Sequence, residues 1–131
     1  MKKYIMALCA LMLLAGTSSI CTAAEDSIIC TLTRANECSP ENGCIQVSVD
    51  EMVLPRFVRI DLKSKTITSL DKEIPRYTQI ATIDRLEGMT VMHGTELRGW
   101  SIALGEDSGY LTLSASGDGE GFVVFGVCMI K

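Results

Sequence analysis

Apolar and polar residues alternate along much of the chain, in short runs that are separated by turn-forming residues. Val58, Ile60 and Leu62, for example, share one face of the stretch 56–62, and mostly polar residues take the other. A period of two residues is typical of a β-strand with one buried face. Runs of this kind, or short apolar runs bounded by turns, cover residues 27–34, 44–50, 56–62, 66–70, 89–95, 98–104, 110–116 and 121–130. The stretch 77–86 is ambiguous, and a short helix is the alternative there.

The links between these runs are mostly short, as in the glycine-bounded turns 105–109 and 117–121. Strands that follow one another through tight turns pair antiparallel as a meander. A meander of this length can hide its edges by closing on itself. We therefore predict an all-β fold, a small antiparallel meander barrel of about eight strands. A two-sheet β-sandwich is the alternative.

The last run, residues 121–130, is apolar on both faces. One face carries Phe122, Val124, Gly126 and Cys128, and the other carries Val123, Phe125, Val127 and Met129. A strand with one solvated face would alternate. We expect one face to fill the interior and the other to be covered from within the chain, by the N-terminal segment or the 39–43 loop. A partner chain is the alternative cover.

The N-terminus has the order of a secretory signal peptide. Two lysines precede an apolar run over residues 5–16, which is followed by small residues up to Ala24. We predict a signal peptide at 1–24, a single all-β domain at 25–131, and a periplasmic or secreted location. An uncleaved N-terminal anchor is the alternative; after cleavage we expect no stable membrane insertion.

Charge restricts the class of partner. Without the two N-terminal lysines, ten basic residues face sixteen acidic ones, and the net charge changes from −4 to −6. No cluster of lysine and arginine remains, so we expect neither nucleic acid nor an anionic membrane surface as a partner.

Four cysteines remain after cleavage, an even number in an oxidising compartment, which predicts two disulfides. Four cysteines allow three pairings, and their number alone does not choose among them. The residues of the 39–43 loop favour a turn that brings Cys38 and Cys44 together. Cys30 and Cys128 would then join the first and last strands. A metal site or a redox pair is the weaker alternative.

The sequence contains no motif of a known catalytic, cofactor-binding or metal-binding site, and we predict none of these. His93 is the only histidine and Trp100 the only tryptophan. We expect His93 at a strand end without a special role. Trp100 should pack in the core near Phe57 or Phe122, and a position facing a ligand at a barrel mouth is the alternative. These two residues are the candidates for binding.

Residues 99–128, GWSIALGEDSGYLTLSASGDGEGFVVFGVC, resemble small exported bacterial all-β proteins of uncharacterised function, with their G-W-S strand and closing F-V-x-F-G-x-C strand. Residues 54–67 look like an earlier strand pair of these proteins. The resemblance implies an all-β fold. These proteins have no established activity that could be transferred to this chain. In architecture alone the chain is also similar to compact lipocalin-like barrels, including periplasmic protease inhibitors.

We therefore expect a non-enzymatic binding or interaction domain of the bacterial envelope. Its partner would be a small apolar molecule or another envelope protein, reached through the loop 39–43 and the acidic turns 105–109 and 117–121. One alternative is a structural component that associates with itself through the last strand. The other is an enzyme with an unrecognised site near His93.

Overall fold

In a computed structural model, which describes residues 27–130, the chain forms ten β-strands and no helix. The strands are β1 (Ser27–Ser39), β2 (Gly43–Val47), β3 (Phe57–Asp61), β4 (Thr66–Ser69), β5 (Tyr77–Gln79), β6 (Thr82–Leu86), β7 (Met89–Glu96), β8 (Arg98–Gly105), β9 (Tyr110–Ser116) and β10 (Gly121–Met129). Among these residues there is no helical segment that could cross a membrane. The predicted signal peptide lies outside the described range.

All strands belong to one antiparallel sheet, in the order β5-β4-β3-β1-β10-β9-β8-β7-β6, with β2 beside β1. Its two outermost strands, β5 and β6, are separated in the chain only by Ile80 and Ala81. The amide of Ile80 donates to the Lys65 carbonyl at 2.9 Å, and that of Ala81 to the His93 carbonyl at 2.8 Å. One continuous stretch therefore contacts both sides, and the sheet curls back on itself. The predicted all-β barrel-like architecture is confirmed.

The stretch 77–86 is wholly extended, so the alternative of a helix is wrong. It consists of β5 and β6, which pair with β4 and β7 respectively. β5 and β6 are both short because the chain ends its pairing with β4 just before Ile80 and begins its pairing with β7 just after it. Ile80 is buried.

The first strand is longer than its alternation indicates. β1 continues to Ser39, and its pairing with β10 is shifted between Leu32 and Arg34. This bulge leaves Thr33 without a partner residue in β10, and its hydroxyl donates to the Phe125 carbonyl at 3.1 Å. Because a bulge adds one residue to one strand, Leu32 and Ala35 are both buried although they are three positions apart. The period of two is broken there, which hid the rest of the strand.

Both predicted disulfides are confirmed. Cys30 and Cys128 are partners in the pairing of β1 with β10, and Cys38 and Cys44 are partners in the β1–β2 hairpin. The hairpin loop is held by a hydrogen bond from the Asn42 amide to the Ser39 hydroxyl at 3.2 Å. The two bridges therefore fix β1 to a neighbour at both of its ends.

The interior of the curled sheet is filled by aliphatic side chains from nearly every strand. Its fully buried members include Cys30, Ala35, Ile60, Ile80, Met92, Leu111 and Val124. Val58 and Ile60 face inward as the alternation predicts, and Ile102 and Leu104 of β8 do so as well. Ile45 is an exception: its side chain is half exposed on β2.

The outer face of β10 is not covered, contrary to our expectation. Phe125, Val127 and Met129 are 39%, 45% and 71% exposed. Thr31 pairs with both Val127 and Phe57, and Val127 pairs with Tyr110, so these side chains share the outer face. No residue of the described range covers them. We call Phe57, Tyr110, Phe125, Val127 and Met129 the outer apolar patch.

The two disulfides should contribute unequally to stability. Cys30–Cys128 closes a loop with a sequence separation of 98 residues and Cys38–Cys44 one of 6. In the chain-entropy model these loops correspond to about 4.7 and 2.2 kcal/mol. Urea unfolding of the two double cysteine-to-serine variants should show a loss larger by about 2.5 kcal/mol for the Cys30/Cys128 pair. Equal losses of stability in the two variants would contradict the expectation that Cys30–Cys128 contributes more than Cys38–Cys44.

Candidate functional site

A cavity of about 300 Å³ opens at one end of the curled sheet. It lies where β1 ends, β10 begins, the β7–β8 turn reverses the chain and the β2–β3 loop crosses over. Its apolar wall is formed by Val47, Met52, Leu54, Ile67, Trp100, Ala115 and Phe122. We call it the mouth cavity.

Trp100 forms the wall of this cavity on the side of β8. It pairs with Ala115 of β9, which in turn pairs with Phe122 of β10, so these three side chains form one inward row. On the other side Trp100 pairs with Gly94 of β7. A Cβ atom on Gly94 would lie 2.2 Å from Cζ2 of Trp100. The indole therefore lies directly against the backbone of β7, and only glycine at position 94 leaves room for it.

Two buried polar atoms at the mouth cavity have no hydrogen-bond partner in the described part of the chain. They are Nε1 of Trp100, a donor, and Oε2 of Glu96, an acceptor. Both residues line the cavity. The two atoms themselves are inaccessible from the cavity, and Nε1 lies against the backbone of β7, 2.8 Å from the position of a Cβ atom on Gly94.

The rim of the cavity is charged. The guanidinium of Arg98 lies 4.5 Å from the centre of the Phe122 ring, and its Nη2 is 3.1 Å from Oε2 of Glu120. Nε of Arg76 is 3.9 Å from Oε1 of Glu96. Glu37 and Glu51 add two further carboxylates to the lining. The rim thus combines paired arginines with an excess of carboxylates.

The β2–β3 loop is fixed over the cavity by reciprocal hydrogen bonds. The Ser48 amide donates to Oε2 of Glu51 at 2.7 Å, and the Glu51 amide donates to the Ser48 hydroxyl at 3.1 Å. The bond from the Ser48 amide, followed by that of its side chain, lowers the pKa of Glu51 below its ordinary value. This pairing has the S-x-x-E spacing of a helix capping box, although no helix follows. It holds Met52 and Leu54 at the apolar wall.

The structure places the two candidate binding residues on opposite faces of the sheet. Trp100 lines the cavity beside Phe122, whereas Phe57, the other neighbour that we considered for it, lies outside and is half exposed. His93 lies within β7 rather than at a strand end, so that expectation is wrong. Its Nε2 is 3.5 Å from Oδ2 of Asp84 on the neighbouring strand, and both side chains are largely accessible. His93 therefore does not contribute to the mouth cavity.

The loops that we predicted as contact surfaces lie at different ends of the molecule. Cys38 pairs with Gly121, which brings the loop 39–43 and the turn 117–121 to the mouth end. The turn 105–109 lies at the far end, where Oε1 of Glu106 accepts a hydrogen bond from the buried Thr90 hydroxyl at 2.8 Å. The β2–β3 loop and the β7–β8 turn, which border the cavity, were missed.

Only one signal in the sequence could have indicated the β2–β3 loop, the S-x-x-E spacing of Ser48 and Glu51. Glu96 is the last residue of β7, beside a turn, where carboxylates are normally solvated, and nothing in its sequence neighbours marks it. Within residues 27–130 there is no group of three or more histidine, cysteine, aspartate or glutamate side chains that could hold a metal ion. The mouth cavity is thus the candidate site.

Replacement of Gly94 by alanine should displace the Trp100 indole, because the new methyl group would occupy the position of the ring. We expect a red shift of the tryptophan emission and a loss of about 1–3 kcal/mol in the free energy of unfolding. Gly99→Ala is the matched control, since a Cβ atom there meets nothing within 4 Å. An unchanged emission spectrum in Gly94→Ala would contradict the described packing.

Comparison of the chain with protein-family models, with curated proteins and with solved structures found no match.

Proposed function

We propose that the protein is an exported, non-enzymatic binding domain of the bacterial envelope that holds a small, largely apolar molecule in the mouth cavity. The observation that carries this proposal is the mouth cavity itself, a concave site with a largely apolar wall that includes Trp100 and Phe122 and with a few charged side chains at its rim. A few polar groups within an apolar concavity are typical of small-molecule sites.

The volume of the cavity agrees with this proposal. At about 300 Å³ it lies at the lower end of the range for ligand pockets. The site is also rigid, because Gly94 and the bonded β2–β3 loop fix two of its sides. A preformed site loses little conformational freedom on binding, which favours affinity. The two disulfides are compatible with an oxidising compartment such as the periplasm or the exterior.

Trp100 provides the test, because it is the only tryptophan and it lines the cavity. Titration with 1-octanol, an uncharged probe with a short chain, should change its fluorescence in a saturable way. Ala115→Leu should weaken this binding at least about tenfold, since the added carbons fill space beside the indole.

Ala103→Leu makes the same change on the outward side of β8, opposite Thr112 and Val91, and should leave octanol binding unchanged. Circular dichroism would verify that both variants are folded. Absence of any saturable change in the wild-type protein, or equal affinity in Ala115→Leu, would refute binding in the mouth cavity.

The outer apolar patch favours a second candidate function, self-association as a structural component of the envelope. Its five side chains are exposed by 39–71%, which corresponds to an area on the order of 500 Å². A stable interface buries about 800 Å² per partner, so we infer a weak dimer in which two outer faces stack. Arg34 pairs with Phe125, and Arg59 pairs with Ile29 next to the patch. Arginine and aromatic residues are both enriched at interfaces.

Sedimentation velocity of the mature protein over a range of concentrations tests this second candidate. We expect a reversible dimer with a dissociation constant in the micromolar range or above, and a monomer for the Phe125→Ser/Val127→Thr variant. Leu86→Ser is the control, because Leu86 is also about half exposed but lies on β6, away from the patch. A strict monomer at all concentrations would exclude self-association.

A further inference from the structure

The strand β2 presents an open edge of the sheet. It pairs with β1 on one side, and no strand within residues 27–130 pairs with it on the other. The Cα atoms of Cys38 and Cys44 are 4.0 Å apart, which is the close spacing of a pair that does not exchange backbone hydrogen bonds. The N–H and C=O groups of Cys44, and by alternation those of Gln46, therefore point away from β1, and both residues are exposed.

This edge lacks the features that keep edge strands from pairing with other chains. Such strands are usually very short, or carry charged side chains or proline. β5 has three residues and begins two positions after Pro75, and β6 carries Asp84 and Arg85. The five residues of β2 include neither a charge nor a proline, and Ile45 among them is 49% exposed. The unpaired backbone groups of β2 are thus accessible to another strand.

The edge is also preformed. The Cys38–Cys44 disulfide fixes β2 to β1, and the turn between them is held by the hydrogen bond from the Asn42 amide to the Ser39 hydroxyl. β2 therefore loses little conformational freedom when a strand is added to it, which favours affinity.

The two ends of β2 differ in charge. At its C-terminal end, Arg34 and Arg56 line a depression of about 280 Å³ together with Gln46. Arg56 is paired with Asp50, whereas Arg34 is exposed and forms no ion pair in the described part of the chain. At the N-terminal end the exposed turn carries Glu41. A strand antiparallel to β2 would therefore meet a positive charge at its own N-terminal end and a negative charge at its C-terminal end.

The β2–β3 loop determines what kind of chain can reach this edge. β2 and β3 both pair with β1 on the side opposite β10, so the loop leaves β2 at Ser48 on the side of the open edge. A single extended strand can pass beside this loop. A second folded copy, paired antiparallel through its own β2, would bring its β1–β2 turn and its β2–β3 loop against the same region. The edge therefore fits a flexible segment of another protein better than a second copy.

We propose that β2 is a docking edge for an extended segment of another protein, which adds to the sheet as an antiparallel strand. The backbone of the segment exchanges hydrogen bonds with Cys44 and Gln46, and one of its apolar side chains contacts Ile45. An acidic side chain at its N-terminal end pairs with Arg34, and a basic side chain at its C-terminal end faces Glu41. This edge belongs neither to the mouth cavity nor to the outer apolar patch, so the inference goes beyond the proposed function.

Three short peptides test the docking edge, each titrated into the ¹⁵N-labelled protein and followed by the amide resonances of Cys44 and Gln46. Acetyl-DVTVTVK-amide, with the acid first, should shift both resonances in a saturable way. Acetyl-KVTVTVD-amide has the same composition with the charges exchanged and should bind about fivefold more weakly, because two exposed charge contacts become unfavourable. Acetyl-DVTPTVK-amide should not bind, because proline removes a backbone donor at the centre of the strand.

Gln46→Pro removes one N–H group from the open edge and leaves the pairing with β1 intact, so it should weaken binding of the acid-first peptide at least about tenfold. Gln46→Ala is the matched control; it keeps this N–H group and should stay within about twofold of the wild type. Ile45→Lys adds to the edge the charge that protects natural edge strands and should also weaken binding about tenfold. Circular dichroism would verify that the variants are folded.

Arg34→Ala should weaken binding of the acid-first peptide about threefold and reduce the difference between the two charge orders. Arg59→Ala is its control, because Arg59 is an exposed arginine on β3, away from β2, and its loss should change neither affinity.

Four results would overturn the proposal. Absence of a saturable shift with every peptide would refute the docking edge itself. Equal affinity for the two charge orders would refute the pairing with Arg34. Equal losses in Gln46→Pro and Gln46→Ala would show that the backbone of β2 does not bind the peptide. A dimer of the protein alone that Gln46→Pro dissociates would identify a second copy as the occupant of the edge.

Discussion

The pairing of the first described strand with the last is the constraint on which the rest of the structure depends. β1 forms a ladder with β10 along most of its length, and Cys30–Cys128 links the two strands covalently. Without β1, which pairs with both β3 and β10, the strands β3–β5 and β6–β10 would form two separate antiparallel groups that are linked only through Ile80 and Ala81. The residues that meet at the seam between β1 and β10 are about a hundred positions apart in the chain, so the loop entropy of closure is large. The disulfide reduces that cost by restricting the unfolded chain.

Local sequence patterns predicted much of this architecture because most contacts follow the chain. Alternation located nearly all strands, turn residues located the hairpins, and the loop 39–43 indicated the pairing of the cysteines. The sequence patterns did not predict three features, because these depend on residues that are distant in the chain. The bulge at Thr33 shifts the inward side of β1, the stretch 77–86 changes neighbours at Ile80, and the outer face of β10 stays uncovered although its composition resembles that of a core strand.

The candidate site was predictable only in part for the same reason. Trp100 was identified from its residue type and from the barrel-mouth alternative, but its environment is tertiary. Gly94 becomes informative only when the register places it beside the indole, and Glu96 only when the curled sheet brings Arg76 near it. Turn carboxylates are ordinarily solvated, so nothing local distinguishes Glu96 from Glu106 at the opposite end. Only the position of Glu96 in the lining of the mouth cavity makes the difference.

The antiparallel seam also determines how the molecule can be presented to its surroundings. Glu37 and Phe122 line the cavity near the end of β1 and the start of β10, whereas Ser27 and Met129 lie at the other ends of these strands. At about 3.3 Å per residue, β1 spans about 30 Å between Ser27 and Glu37. Both described chain ends therefore leave the domain on the side opposite the opening. A tether attached at either end, whether to a surface or to another domain, would leave the entrance facing outward.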